Sequence, residues 1–422
     1  MWVSFTGIAA RCVSRKSLCL TGVTVKKTGL GHHGRCRAAC GRLPYARSPE
    51  SLVEPLVDGG FNVKRFLAAG FVSVALLNGV VGSASAVSSK PASERSSEKV
   101  VNPANVKPGI SLGCAEPASD VDLGVDSKIT IGVANVSPEL STRWYYRRIP
   151  TNYEASRPMP VVIDLHGYSE GATIHLMMSS LGKYGDEKGF ITLTPQGQGV
   201  VPRWDTALKG SPDVEFIKTM IYDVGDTLCV DANRIFVTGL SNGAMMSSTL
   251  ACVLSTQVAA IAPVAGVQAP KGCKQFRAVP VVAFHGTSDG YVTYGGGLGD
   301  RARRLPAPDG SGKTLEESGA LSKRSLKGPS VPETMQAIAR RNRCKEKPSK
   351  VRVSSDVTRF SYPCSKGRDA VLYRVTAGGH TWPGSAFSKQ IESIVGKTTM
   401  TISANEIMWR FFTNHPRSQN SK

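Results

Sequence analysis

Three residues of this chain have the types and the order that nucleophilic catalysis needs. Ser241 stands in Gly239-Leu240-Ser241-Asn242-Gly243, behind the β-branched and aromatic run 235–238 and ahead of a small-residue stretch carrying Leu250 and Leu254. The run predicts a short buried strand and the stretch a helix, so the pentapeptide is a sharp turn between them. Its glycines leave room for a strained turn from which the serine hydroxyl projects, and the helix N-terminus behind it favours developing negative charge. Asp289 lies in His285-Gly286-Thr287-Ser288-Asp289-Gly290 after the apolar run 279–284, and His380 in Ala377-Gly378-Gly379-His380 after the run 370–375. A serine hydroxyl is a poor nucleophile at neutral pH. In this arrangement His380 takes its proton and returns it to a leaving alcohol, while Asp289 fixes the imidazole tautomer and stabilises the imidazolium.

A G-x-S-x-G pattern alone is weak, and the chain holds a second one, Gly109-Ile110-Ser111-Leu112-Gly113. That copy follows Pro103 and Pro108 and runs into Cys114 and Pro117, which disfavours a strand before it and a helix after it. Asp289 as an Asx-turn residue and His380 as a structural partner of Trp382 are duller readings of single positions. Neither explains three roles falling at three strand ends in one order. His166, His175 and His285 precede the acid in the chain, and His415 lies past the last expected helix beside Pro416. Acyl transfer also needs N–H donors for the oxyanion. The candidates are the backbone N–H of Asn242 and, in the loop His166-Gly167-Tyr168 after the run 161–165, that of Tyr168. Trp204 and Trp382 are candidate walls for an aromatic or sugar ring, against the commoner reading of a buried aromatic as packed structure.

The elements that must position these groups read as strands alternating with helices. Strands are expected at 128–133, 143–148, 161–165, 190–194, 235–238, 258–264, 279–284 and 370–375. Helical spacing appears in Ile174, Met177, Met178 and Leu181, and again in Val214, Ile217, Ile221, Val224 and Leu228. A further helix is expected over 332–343, and a final one that opens on a capping box, Ser403 with Glu406, and buries Ile407, Met408, Phe411 and Phe412. Such alternation implies a mainly parallel sheet with helices on both faces, with reactive loops at the carboxyl ends of the strands.

With 41% hydrophobic and 20% charged residues most of the chain can bury a core, which leaves the net charge of +20 to be located. Residues 1–65 carry eleven Lys and Arg against Glu50, Glu54 and Asp58, with no sustained apolar period. Lys64-Arg65, the apolar run 66–81 and Ala84-Ser85-Ala86 then have the three parts of a secretory signal, recessed in the chain. A retained signal anchor, with membrane contact through 66–82, and an organellar leader are the alternatives. We therefore expect a leader 1–86, a polar linker 87–109, a catalytic domain 110–416 and a tail 417–422. His32, His33, Cys36 and Cys40 lack the pair spacing of a structural zinc site, and neither a metal nor a cofactor is implied. Beyond the leader remain Cys114, Cys229, Cys252, Cys273, Cys344 and Cys364, an even set without C-x-x-C spacing that suits disulfides in an oxidising compartment. Many pairings are open. Neighbourhood in sequence favours Cys344 with Cys364 and Cys252 with Cys273, leaving Cys114 for Cys229, and the rival reading is buried free thiols.

Leu165-His166-Gly167-Tyr168, the segment 239–246, Phe284-His285-Gly286-Thr287-Ser288-Asp289 and Gly379-His380-Thr381-Trp382-Pro383-Gly384 together resemble the secreted α/β-hydrolase family that joins feruloyl esterases with polyhydroxybutyrate depolymerases. The resemblance spans about residues 110–415. It implies the α/β-hydrolase fold and ester hydrolysis through an acyl-enzyme, with Ser241, Asp289 and His380 as the triad and Cys344 and Cys364 like a cysteine pair of relatives. It does not choose among aryl esters, acetylated plant polysaccharides and hydroxyalkanoate polyesters. One departure is the Gly-, Arg- and Lys-rich stretch 295–330, longer than expected for the family and without apolar period, which reads as a mobile lid or a disordered surface insertion. Two rival functions stand beside the esterase. Arg340, Arg341, Arg343, Lys345, Lys347, Lys350 and Arg352 would suit an inert binding protein for anionic polymers, although no nucleic-acid motif accompanies them. A peptidase of the same fold shares the triad, but the chain shows no peptide-positioning domain. Oligomeric state is not legible.

Overall fold

The computed structural model describes residues 12–14, 17–19, 109–115 and 121–417. Two strands, Cys12–Ser14 and Ser17–Cys19, pair antiparallel in a unit, Met1–Phe61, distinct from the unit Asn62–Lys422 that holds everything else described below. The expected signal segment 66–86, the linker and the His32–Cys40 cluster lie outside the described residues. Among the described residues no helix is long and apolar enough to cross a membrane, and no group of His, Cys, Asp and Glu could hold a metal ion.

The second unit is built on one ten-stranded sheet. Its strands in chain order are β1 (Asp126–Gly132), β2 (Thr142–Arg148), β3 (Met159–Leu165), β4 (Ile191–Pro195), β5 (Val230–Leu240), β6 (Ala260–Val264), β7 (Val281–Gly286), β8 (Ser349–Arg352), β9 (Val357–Tyr362) and β10 (Ala370–Val375). They lie in the order β8-β9-β10-β7-β6-β5-β3-β4-β2-β1. The six central strands are parallel, while both edges are antiparallel. This is the α/β-hydrolase fold.

Parallel strands are covered on both faces, and so they read as continuous apolar runs. All seven residues of β3 are buried, and so are all of β6 and β7. Neighbouring side chains on one strand serve opposite cores. On β3, Val161, Ile163 and Leu165 join α3 (Pro212–Thr227), α4 (Asn242–Val253) and α5 (Val331–Arg341). Val162 faces the other way, into a core with α1 (Ala172–Ser179), α2 (Leu181–Lys188) and α6 (Ala404–Thr413). There Phe236 of β5 stacks on Phe412 of α6 at 4.5 Å between ring centroids and 5° between planes. Ser403 caps α6 by accepting from the Glu406 N–H at 3.3 Å, half of the expected box. The complete box forms at α5, between Ser330 and Glu333.

Several expectations change. Met177, expected on a buried helical face, is exposed on α1, and Ser180, at φ 51°, divides the expected helix into α1 and α2. The basic stretch 340–352 has partners for some of its charges. It spans the end of α5, a turn and β8, the outermost strand, which pairs with β9. Arg340 pairs with Glu346 at 3.2 Å, the Arg341 side chain is largely buried with a lowered pKa caused by that burial, and Arg352 donates to the Ser354 and Ser355 carbonyls. Disulfides join Cys114 to Cys229, Cys252 to Cys273 and Cys344 to Cys364, the pairing favoured by sequence neighbourhood.

Candidate active site

Ser241 sits between β5 and α4 with φ 56° and ψ −117°, a backbone state that L-residues avoid at a cost of about 1–3 kcal/mol. Its flanks explain how the turn is tolerated. A Cβ on Gly239 would stand 2.5 Å from the Leu165 carbonyl oxygen, and one on Gly243 would collide with the same oxygen, so the turn packs directly on the end of β3. The Ser241 N–H donates to the Val264 carbonyl at 2.9 Å, which ties the turn to β6. Among the described residues its hydroxyl has no hydrogen-bond partner and is free for chemistry.

Asp289 and His380 are brought together from two adjacent strand ends. β7 and β10 finish in register, Gly286 beside Val375. Their loops then lock, with the Ser288 N–H donating to the Gly378 carbonyl at 2.9 Å and the Ala377 N–H to Thr287 Oγ1 at 2.8 Å. The His380 N–H donates to the Val395 carbonyl at 2.7 Å. In this frame His380 Nδ1 lies 2.7 Å from Asp289 Oδ2, both side chains are buried, and Nε2 has no hydrogen-bond partner among the described residues. Asp289 Oδ1 accepts from the Tyr291 and Val292 N–H groups at 2.8 and 3.0 Å. Burial would push this carboxyl up, but the His380 charge and the hydrogen bonds of His285 and His380 outweigh it and hold the pKa well below the ordinary carboxylate range. The tilted Tyr291 ring covers the imidazole at 4.9 Å. His285, read from sequence only as a rejected base, is a further support for the acid: Nε2 donates to the Val292 carbonyl at 2.8 Å and lies 3.3 Å from Asp289 Oδ2.

The loop expected to carry one oxyanion donor approaches the turn that carries the other. The loop after β3 passes close to the nucleophile, since a Cβ on Gly167 would lie 3.6 Å from that of Ser241. The Gly167 N–H is taken by the Glu170 carboxylate and the Ser169 N–H by the Pro202 carbonyl. Between them, the Tyr168 N–H has no partner among the described residues, and the Asn242 N–H has none either. The Asn242 side chain is clamped to the Trp204 backbone, accepting from its N–H at 2.7 Å and donating to its carbonyl at 3.2 Å.

The two tryptophans correct an expectation. Trp204 is 3% exposed, donates its indole N–H to the His166 carbonyl at 2.8 Å and packs on the His166 ring. Trp382 is 1% exposed and donates to Asn405 Oδ1 at 2.8 Å. Neither ring has an open face on which a substrate could stack. Both brace the loops that carry Asn242 and His380. The second G-x-S-x-G serine is a clamp as well: Ser111 Oγ donates to the Leu228 carbonyl at 2.7 Å and accepts from the Val230 N–H at 2.8 Å, at the root of β5.

The stretch 295–330 is ordered rather than a loose insertion. The N–H groups of Gly299 and Arg301 donate to the Tyr291 and Gly290 carbonyls of the acid loop, and Ala307, Leu315 and Glu316 close a hairpin-like turn. Its far side meets the oxyanion loop, where the Tyr168 hydroxyl donates to the Pro306 carbonyl at 2.8 Å. The stretch therefore bridges two of the loops that build the site.

No family model matches the chain. Over 200 residues it is 32% identical to feruloyl esterase D of Neurospora crassa, covering 43% of this chain and 67% of that relative. It is 29% identical over 168 residues to feruloyl esterase B of Piromyces equi, covering 38% of this chain and 31% of the relative. Over 135 residues it is 25% identical to the bifunctional acetylxylan esterase/xylanase XynS20E of Neocallimastix patriciarum, covering 32% of this chain and 20% of the relative. The chain thus spans only 20% and 31% of the length of the latter two relatives.

Proposed function

The chain belongs to the feruloyl esterase-like family of α/β-hydrolases, and from that membership we propose that it is a serine carboxylic-ester hydrolase acting through an acyl-enzyme. The observations that carry the proposal are the Asp289–His380 pair at 2.7 Å and, at the end of β5, a strained serine whose hydroxyl has no hydrogen-bond partner among the described residues. In the proposed reaction Ser241 Oγ attacks the ester carbonyl while His380 Nε2 takes its proton. Asp289 fixes that tautomer by engaging Nδ1 and balances the imidazolium. Negative charge on the carbonyl oxygen is received by the Tyr168 and Asn242 N–H groups, each worth about 10²–10³ in rate if it acts as oxyanion donors do elsewhere. The C–O bond then breaks, His380 returns the proton to the leaving alkoxide, and water repeats the sequence to release the acid and free Ser241.

The names of the relatives favour feruloyl or acetyl esters of polysaccharide over hydroxyalkanoate polyesters as substrates. Buried Trp204 and Trp382 leave ring recognition to the loops around Tyr168 and the 295–330 stretch. Three disulfides fit export to an oxidising compartment. The inert anionic-polymer reading is weakened by the partners that Arg340 and Arg352 already have.

Hydrolysis of p-nitrophenyl acetate by the parent and by Ser241→Ala tests the activity. Loss of the nucleophile should lower kcat by about 10⁶-fold, as in other triads. A variant that turns over like the parent removes Ser241 from the reaction.

A further inference from the structure

Beneath the oxyanion loop lies a charged cluster that the reaction does not use. Asp164 of β3 and His175 of α1 are fully buried, with His175 Nε2 2.8 Å from Asp164 Oδ1 and Nδ1 3.0 Å from Glu170 Oε1. Asp164 Oδ2 accepts from Ser179 Oγ at 2.5 Å. The other Glu170 oxygen accepts from the Gly167 N–H. Burial alone would lower the His175 pKa, yet Asp164 and Glu170 together raise it to about 10. Burial would likewise raise the Glu170 carboxyl, but His175 and the Gly167 N–H hold it below its ordinary value. The cluster is therefore an imidazolium between two carboxylates.

Burying such a cluster contributes little stability, and apolar residues of similar volume often serve a fold better. With two carboxylates to one imidazolium, it also cannot stabilise a developing oxyanion by charge. Its geometry gives it a different use. Glu170 is aimed at the N–H one residue before the Tyr168 donor, and the Pro202 carbonyl holds the N–H one residue after. With both neighbours bound, rotation of the peptide plane that carries the Tyr168 N–H is restrained. The same short helix holds the other half of the site. Trp382, two residues from His380, packs edge-on against the His175 ring at 5.7 Å, its backbone N–H donates to Ser388 Oγ at 3.1 Å, and Ser388 Oγ donates to Met178 Sδ at 3.0 Å. Asn405, which receives the Trp382 indole N–H, donates in turn to the Ser179 carbonyl.

We propose that Glu170 and His175 are positioning residues that set the Tyr168 N–H, and through α1 the His380 loop, in register for transition-state binding. The proposal rests on the esterase reading above. A structural role alone would lower the amount of folded enzyme. A positioning role changes how tightly the folded enzyme holds a tetrahedral adduct.

The test compares Glu170→Ala, Glu170→Gln and His175→Gln with the parent, reading kcat and KM for p-nitrophenyl acetate and inhibition by phenylboronic acid, whose adduct on the serine places an oxygen where the oxyanion forms. Glu170→Ala should lower kcat about 10²-fold, the size expected from a misplacement of about 1 Å. KM should change little, and the boronate inhibition constant should rise in step with the loss of kcat/KM. Glu170→Gln should recover most of the loss, because neutral His175 can donate to Asp164 and accept from the amide while the amide oxygen takes the Gly167 N–H. His175→Gln extends the comparison if Glu170→Ala does not fold, with the same rise expected. An inhibition constant equal to the parent's in the folded variants overturns the proposal, whatever happens to the yield or to kcat. If Ser241→Ala matches the parent in the same assay, the esterase reading falls too, and that result is separate from a boronate constant that fails to move in an enzyme dependent on Ser241.

Discussion

At the scale of single residues, the site is a set of groups each held by two or three partners. Asp289 illustrates this: one oxygen takes two backbone N–H groups and the other faces two imidazoles. Asp289→Asn keeps the loop bonds but presents the wrong hydrogen-bond polarity to His380 Nδ1, so kcat should drop about 10⁴-fold with little change in melting temperature. Initial rates and a thermal melt on the same sample check this, and a loss below tenfold contradicts the assigned role. His175 gives a pH prediction. Its folded pKa, about 10, stands above its ordinary 6.5, so its contribution to stability is complete below pH 6.5 and is lost as pH rises toward 10. The melting temperature of the parent should therefore fall relative to that of His175→Gln across this range, and parallel curves contradict the buried imidazolium. The proposed triad is legible in sequence because each member stands within five residues of the end of an apolar run. The cluster of Asp164, Glu170 and His175 was not, since its residues share no motif and meet only when α1 folds back on β3.

At the scale of elements, continuous apolar runs announced the six parallel strands to within a few residues. β8 carries no such signal because all four of its residues are exposed and only Val351 is apolar, so it has no inward face to produce a pattern. The order of 295–330 was equally hidden, since backbone N–H and carbonyl groups hold it and leave no periodicity in side chains. Tyr168 ties it to the oxyanion loop through its hydroxyl. Tyr168→Phe removes a hydrogen bond worth about 0.5–1.5 kcal/mol while keeping the backbone N–H. Limited proteolysis within 295–330 should then run severalfold faster, with p-nitrophenyl acetate turnover reduced far less than in Ser241→Ala. An unchanged cleavage rate shows that the acid-loop bonds alone fasten the stretch.

At the scale of the whole molecule, the disulfides close chain segments of very different length. Cys114 and Cys229 are 115 residues apart, against 21 and 20 for the other two pairs. In the chain-entropy account the long loop contributes roughly 4–5 kcal/mol and each short loop about 3. Replacing Cys114 and Cys229 with serine should therefore lower the denaturation midpoint more than either other double replacement. Equal effects from all three pairs would locate their value in local packing instead. The Cys114 segment also carries Ser111, whose clamp on Val230 lies at the root of the strand that leads into Ser241, so the fastening and the proposed nucleophile stand at opposite ends of one element.

The central claim is that Ser241, activated by His380, forms a covalent acyl intermediate. Labelling the purified protein with a fluorophosphonate and mapping the adduct by peptide mass spectrometry tests this most directly. The account predicts one modified peptide, carrying the label on Ser241, and labelling slowed by orders of magnitude in His380→Ala. A label on Ser111, or none on a folded protein that hydrolyses esters, contradicts it.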